Sequence, residues 1–133
     1  MQYEETTGKI LSACFEVSNE LGIGFLESVY EKALMIALKD KKLKAENQVS
    51  LKVHFRKQIV GDFFADIIVE DSIIIEIKAV KTLMPEHQAQ IINYLKATEI
   101  PVGLLVNFGK SKLEYRRFNN RFLNSQGLRG CRR

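Results

Sequence analysis

The chain has 133 residues, of which 46% are hydrophobic and 27% are charged, and its net charge at pH 7 is +4. These values are typical of one soluble globular domain with its own hydrophobic core. No apolar run reaches the length of a membrane span, and the N-terminus lacks a signal peptide's basic start and apolar middle. Cys14 and Cys131 form neither a disulfide framework nor a metal-ligand cluster, so we expect a reducing, cytoplasmic location.

Hydrophobic periodicity predicts the order helix, helix, three strands, helix and two strands. The helices are expected over about residues 3–20, 26–41 and 85–98, and the strands over about 48–55, 59–69, 73–78, 102–108 and 113–118. Short hairpin turns make their strands antiparallel, whereas the helix over 85–98 crosses between two strands that should be parallel. We therefore expect an α/β (α+β) fold in which helices flank one central mixed sheet.

The stretch from Asp66 to Lys78 places charged side chains within two strands that are otherwise mostly apolar. Glu76 and Lys78 are two residues apart, so their side chains leave the same face of the sheet. If the turn consists of residues 70–72, Asp66 lies directly across from Glu76 on that face. A two-residue turn would put the two carboxylates on opposite faces.

Two carboxylates and a lysine on one face of a sheet suggest phosphodiester chemistry. Hard divalent cations such as Mg²⁺ and Mn²⁺ prefer oxygen ligands, which a buried pair such as Asp66 and Glu76 supplies. Lys78 can position a metal-activated water or offset charge that develops on a phosphate. The alternative is a buried ion pair between the lysine and a carboxylate that satisfies itself, and these three residues alone leave both interpretations open.

Two further pairs of polar residues lie one helical turn apart. Glu27 and Glu31 are like charges at a spacing that mildly destabilises a helix unless a cation is near. Gln90 and Tyr94 share a face of the third helix, where an amide and a phenol could reach a phosphate or a metal-bound water. On spacing alone, Glu27, Gln90 and Tyr94 are better interpreted as ordinary half-exposed or solvated helix residues.

Basic residues dominate the chain beyond Gly109, where Glu114 is the only acid. They are Lys110, Lys112, Arg116, Arg117, Arg121, Arg129, Arg132 and Arg133. One interpretation is a frayed, solubilising C-terminus. The other is a surface for nucleic-acid backbones, in which Arg116, Arg117 and Arg121 bind phosphates with a strong dependence on salt.

The order of these motifs resembles a known family. Asp66, Glu76-Ile-Lys78 and Gln90-Ile-Ile-Asn-Tyr94 together resemble the PD-(D/E)XK nuclease superfamily, in the branch that carries a QxxxY helix. Gly24-Phe-Leu-Glu27-Ser-Val-Tyr30 is similar to the signature of the GxxExxY family within it. The resemblance is colinear over about residues 10–118. One departure is Ala65, which stands where the motif has proline.

The resemblance implies one domain over residues 1–133, with a restriction-endonuclease-like αβββαβ core over about 10–118 and a basic tail over 119–133. It also implies a role for each residue of a metal-dependent site. Asp66, Glu76, Glu27 and the backbone carbonyl of Ile77 would bind Mg²⁺ or Mn²⁺, Lys78 would be the catalytic lysine, and Gln90, Tyr94 and Tyr30 would line the site.

These observations lead to a predicted function with two alternatives. We expect a Mg²⁺-dependent nuclease that hydrolyses nucleic acid, with DNA as the favoured substrate, through a metal-activated water. A homodimer would let two sites act on two strands, although no residue in the sequence indicates one. The alternatives are a non-catalytic module of the same fold that binds nucleic acid or protein, and a metal enzyme that acts on another phosphoester.

Overall fold

Three helices and five strands make up residues 3–123, the part of the chain that the computed structural model describes. In chain order they are α1 (Glu4–Leu21), α2 (Glu27–Asp40), β1 (Ala45–Phe55), β2 (Gln58–Val69), β3 (Ile73–Lys78), α3 (Pro85–Ala97), β4 (Val102–Asn107) and β5 (Glu114–Asn119). This is the order that hydrophobic periodicity predicts. Within the described residues, no helix combines the length and apolar character that a bilayer span requires.

The five strands form one mixed sheet with the spatial order β1-β2-β3-β4-β5. Neighbouring strands are antiparallel except for β3 and β4, which are parallel because α3 crosses over between them. The predicted mixed sheet flanked by helices is therefore confirmed, and the fold is of the α+β class.

Helices cover both faces of β3, which explains why its sequence is almost entirely isoleucine. Ile73, Ile75 and Ile77 belong to the core under α1 and α2, whereas Ile74 belongs to the core under α3. All four side chains are essentially buried. Because a fully buried isoleucine contributes about 1.5–3 kcal/mol of hydrophobic stabilisation, β3 anchors the sheet between its two helical layers.

The turn between β2 and β3 sets the register on which the predicted site depends. Val69 pairs with Ile73, and the ladder continues to the pair of Ile67 and Ile75. The connection is thus the three-residue turn 70–72, as predicted, and the same register places Asp66 opposite Glu76. No backbone pair of β2 and β3 extends beyond Ile67 and Ile75 within the described ladder, so the two strands separate at the acidic residues.

The far part of the β1–β2 hairpin projects beyond β3 and exposes large apolar side chains. They are Phe55, Ile59, Val60, Phe63 and Phe64, each between 46% and 63% exposed. The ring of Phe63 lies 6.0 Å from that of Tyr94 on α3. The hairpin therefore brings the ring of Phe63 beside Tyr94 of α3.

The end of β4 is tied to the segment that follows β3. The fully buried side chain of Asn107 accepts hydrogen bonds from the backbone N–H groups of Val80 and Gly109, both at 2.9 Å. Its amide nitrogen donates to the carbonyl of Val80 at 2.8 Å and to Glu114 at 3.1 Å. All four hydrogen-bonding positions of this amide are thereby used, which fixes the backbone immediately after Lys78.

Gly109 is expected to tolerate no side chain, because a Cβ there would lie 2.3 Å from the carbonyl oxygen of Val80. We predict that Gly109→Ala lowers the free energy of unfolding by about 3 kcal/mol, measured by denaturant titration. Gly8→Ala is the matched control, since a Cβ at that exposed position in α1 meets nothing within 4 Å. Removing a helical glycine should stabilise the chain by about 0.5–1 kcal/mol. Equal effects of the two substitutions would contradict this account.

Candidate active site

The side chains of Asp66 and Glu76 each accept a hydrogen bond from the backbone of the other's strand, at the point where β2 and β3 separate. The Asp66 N–H donates to Glu76 Oε1 at 3.1 Å, and the Ile77 N–H donates to Asp66 Oδ2 at 2.8 Å. The two carboxylates thus provide the acceptors that strand carbonyls would provide in a continuing ladder. The predicted proximity of Asp66 and Glu76 is present in the structure.

Burial and mutual repulsion disfavour the ionised form of both carboxylates. Glu76 is only 3% exposed, and its burial, followed by the charge of Asp66, raises its pKa from 4.5 to about 8. The pKa of Asp66 is also raised, first by burial and then by the charges of Glu31 and Glu27, against a hydrogen bond from Ile77 that lowers it. A cation beside the pair would relieve these effects.

Lys78 follows Glu76 by two residues on β3 and is half-buried. Its positive charge favours ionised Glu76 and so lowers the pKa of that carboxyl, although less strongly than burial raises it. Among the ion pairs within the described residues, none joins Lys78 to Glu76 or Asp66. The closed ion pair that the sequence left open as an alternative is therefore not formed.

Helix α2 brings two more acids towards this pair. Glu27, in its first turn, is exposed, and its charge raises the pKa of both Asp66 and Glu76. Glu31, one turn later, is half-buried and accepts a hydrogen bond from Asn47 at 3.2 Å. The structure thus places Glu27 within electrostatic reach of the pair, where the resemblance implies it.

Sequence reasoning did not assign a site role to Glu31 or to Gln48. The Gln48 amide nitrogen donates to Glu31 Oε1 at 2.8 Å and lies 3.4 Å from Asp66 Oδ1. For Glu31 a signal existed, because Glu27 and Glu31 are like charges one helical turn apart. For Gln48 the local sequence carries no comparable signal.

Gln90 and Tyr94 form a pair on α3 beside the acids. The Gln90 amide nitrogen donates to the Tyr94 hydroxyl oxygen at 3.0 Å. Burial raises the pKa of Tyr94, and the charges of Glu76 and Asp66 raise it further, against the Gln90 hydrogen bond that lowers it. Tyr94, with Gln90 bound to it, therefore lies within electrostatic reach of the acidic pair, where the resemblance implies a site-lining role.

Tyr30, which was predicted to line the site, is a core residue in the structure. Its side chain is fully buried, and its ring stacks on Phe108 with centroids 4.8 Å apart. Its hydroxyl donates to the carbonyl of Gly22 at 2.7 Å and accepts from the N–H of Phe25 at 3.3 Å. These contacts hold the α1–α2 turn in place and leave no surface for a substrate, so Tyr30 does not line the site.

The three arginines predicted to bind nucleic acid do not form one surface. Arg116 pairs with Leu105, which pairs with Glu76, so Arg116 lies in the same row as Glu76 on the α3 face. Arg117 follows it directly on β5 and therefore leaves the opposite face. Arg121 stacks its guanidinium over the ring of Phe122 at 5.3 Å. Three further arginines of the basic stretch beyond Gly109, Arg129, Arg132 and Arg133, lie outside the described residues.

The donor set fits a hard divalent cation at the acidic pair. One oxygen of each carboxylate accepts a backbone N–H. The second oxygens, Glu76 Oε2 and Asp66 Oδ1, have lone pairs to offer a cation, and the Gln48 amide lies beside Asp66 Oδ1. Within residues 3–123, no group of three or more His, Cys, Asp and Glu side chains converges closely enough to form a metal centre. Ligands beyond the pair would therefore have to come from the backbone, from water or from movement of Glu27.

These features define a restriction-endonuclease-like α+β fold with an acidic pair and a lysine at the end of β3. A family model of the PD-(D/E)XK nuclease superfamily matches residues 4–118, and the chain belongs to that superfamily. Among solved structures it is similar to the crystal structure of SSO0001, with 24% identity and a TM-score of 0.56. The similar region covers 89% of this chain and 59% of that one, and it shows the fold alone. No curated protein matches the chain.

Protonation of Glu76 should make the stability of the metal-free protein depend on pH. The folded-state pKa of about 8 lies above the unfolded value near 4.5, so the folded protein retains a proton that the unfolded chain has lost. The stability that this proton contributes is therefore fully present below about pH 4.5 and is lost as the pH rises through about 8, by on the order of a few kcal/mol. Asp66 acts in the same direction.

Glu76→Gln tests this prediction, because a neutral amide keeps the size of the side chain and removes its titration. Denaturant unfolding of the metal-free variant should lose most of the decline between pH 5 and 8, leaving the part due to Asp66. The variant should exceed the wild type in stability at the upper end of this range. Parallel pH profiles of variant and wild type would contradict the assignment to Glu76.

Proposed function

We propose that the chain is a Mg²⁺- or Mn²⁺-dependent nuclease that hydrolyses phosphodiester bonds, with DNA as its substrate. The observation that carries the proposal is the buried pair of Asp66 and Glu76, each bound to the other's strand, with Lys78 beside it. Membership of the PD-(D/E)XK nuclease superfamily supports the same reaction class. A buried acidic pair that destabilises its own ionised form is unfavourable for folding alone, and a bound cation would compensate for it.

The residues that would hold the cation are Asp66, Glu76 and the backbone carbonyl of Ile77, with Glu27 reaching in from α2. Such a cation, when bound, polarises a phosphoryl oxygen and lowers the pKa of a coordinated water. The carboxylates must be ionised to bind it, so cation and proton compete for Glu76, whose pKa of about 8 makes binding strengthen as the pH rises.

Lys78 and the pair on α3 would act on the substrate itself. The Lys78 ammonium, on the same face of β3 as Glu76, can orient the attacking water or offset negative charge on the phosphate. Because the Tyr94 hydroxyl oxygen accepts from Gln90, its own proton remains available to a phosphate oxygen. The raised pKa keeps that hydroxyl protonated at neutral pH.

A chain of this size would recognise nucleic acid mainly through its backbone. We place it in the cytoplasm, where thiols stay reduced, since Cys14 is a buried free cysteine. A homodimer would provide two acidic pairs for the two strands of a duplex.

Substitution of site residues should separate metal binding from cleavage. In Glu76→Ala, we expect isothermal titration to show loss of Mg²⁺ and Mn²⁺ binding, together with loss of cleavage of circular single- and double-stranded DNA. In Lys78→Met, cation binding should persist while cleavage falls by about 100-fold or more, because only transition-state stabilisation is removed. Circular substrates have no ends, so cleavage of them identifies an endonuclease.

The wild type serves as the reference for both variants. A wild type that binds neither cation overturns the proposal and leaves a binding module of the same fold. Cation binding without cleavage of either circle would mean that DNA is the wrong substrate. Unaltered cleavage in Glu76→Ala would show that the chemistry lies elsewhere.

Arg116 and Arg117 provide a matched pair for mapping the substrate. Arg116 lies on the face of the sheet that carries Glu76, whereas Arg117 leaves the other face. Arg116→Ala should weaken DNA binding and reduce its salt dependence, measured by fluorescence anisotropy at several salt concentrations. Arg117→Ala, an equal loss of charge one residue away, should change the affinity less. Equal losses of affinity in the two variants would indicate that DNA binding depends on the overall charge and not on the face of the sheet that carries Glu76.

A further inference from the structure

Gln48 has a backbone conformation that is unusual for a residue inside a strand. Its φ is 52°, in the left-handed region that non-glycine residues avoid at a cost of roughly 1–2 kcal/mol. The other non-glycine residues with positive φ among those described lie at helix ends or in turns. They are Tyr3, Lys42, Arg56, Lys57, Glu70 and Asp71.

The strained residue stands directly across from Asp66. Its neighbours form regular pairs on either side, Asn47 with Ile67 and Val49 with Ala65. The register of β1 and β2 is the same before and after Gln48, so the unusual backbone inserts no residue into the strand. What it changes is the face that the strands present: Ala45 and Ile67 pack in the core under α1 and α2, whereas Val49 and Ala65 pack in the core under α3. The side chain of Gln48 lies at this switch, opposite Asp66.

The side chain of Gln48 connects two acids on different elements. Its amide nitrogen donates to Glu31 Oε1 on α2 at 2.8 Å and lies 3.4 Å from Asp66 Oδ1 on β2. The other oxygen of Asp66 accepts the Ile77 N–H at 2.8 Å. Both oxygens of Asp66 therefore have a donor, which fixes the plane of the carboxylate.

We infer that Gln48 is a positioning residue of the active site, an inference that rests on the proposed nuclease function. Its strained backbone directs a neutral amide between Glu31 and Asp66 and holds the Asp66 carboxylate in the orientation that receives a cation. A backbone strain kept opposite a site carboxylate is typical of a conformation retained for function, because relaxing it would stabilise the fold.

The chemistry of the amide suits this position better than a charged group would. An amide nitrogen carries two hydrogens and can donate to two carboxylates at once. A lysine would donate equally well, but its charge would neutralise the acids and compete with a cation. A glutamine therefore holds the two acids close together without lowering their negative charge.

Glycine substitutions separate the strain from the contact. Gln48→Gly removes both the unfavourable φ and the amide, while Lys57→Gly removes only an unfavourable φ of 68° in the exposed β1–β2 turn. We expect neither variant to lower the denaturation midpoint. Gln48→Gly alone should weaken Mg²⁺ and Mn²⁺ binding by about 10- to 100-fold in isothermal titration, with a comparable loss of DNA cleavage.

A second readout does not depend on a cation. In metal-free protein, the Ile77 amide hydrogen, which is bound to Asp66, should exchange faster in Gln48→Gly than in the wild type. In Lys57→Gly its exchange should be unchanged. Nuclear magnetic resonance resolves this one amide by residue.

Each other outcome overturns the inference. Wild-type affinity for cations in Gln48→Gly would show that the amide positions nothing. A lowered denaturation midpoint together with weaker binding would show a structural role for Gln48. If the wild type itself neither binds a cation nor cleaves DNA, the proposed function fails and the inference falls with it, so the wild-type measurement separates the two failures.

Discussion

The structure depends on how the ladder between β2 and β3 ends. Past Ile67 and Ile75 the backbones no longer pair, and the carboxylates of Asp66 and Glu76 accept the strand amides in their place. This exchange satisfies buried N–H groups, and it also fixes two carboxylates where both are hard to ionise. The same geometric event therefore ends a sheet ladder and creates the electrostatic conditions of a site.

Much of the fold could be predicted from the sequence because its signals are local. The isoleucine run of β3, the short turn at 70–72 and the amphipathic α3 each specify their own conformation, and together they determine the register and the parallel crossover. Asp66, Glu76 and Lys78 follow from that register alone. The order of motifs then supplied the superfamily, which the family match over residues 4–118 supports.

The remaining parts of the site depend on tertiary contacts that the sequence does not display. Helical spacing places Glu27 and Tyr30 on one face of α2, but it does not tell which of them meets solvent. The packing of Phe108 against Tyr30 decides this. Similarly, the left-handed backbone of Gln48 is not a propensity of glutamine, and its partners come from α2 and β2. Strand alternation separates Arg116 from Arg117, but only the position of β5 in the sheet determines which of them shares the face of Glu76.

The contact between Asn107 and Val80 has a consequence for motion. These residues are 27 positions apart, and the loop that they close contains all of α3. The helix that carries Gln90 and Tyr94 is therefore enclosed by one set of hydrogen bonds at the ends of β3 and β4. Within this closed loop, Ile91, Tyr94 and Leu95 also bury α3 against the sheet. The helix is thus held both along its length by apolar packing and at the two ends of its crossover by the buried amide of Asn107, which limits independent motion of the residues that face the acidic pair.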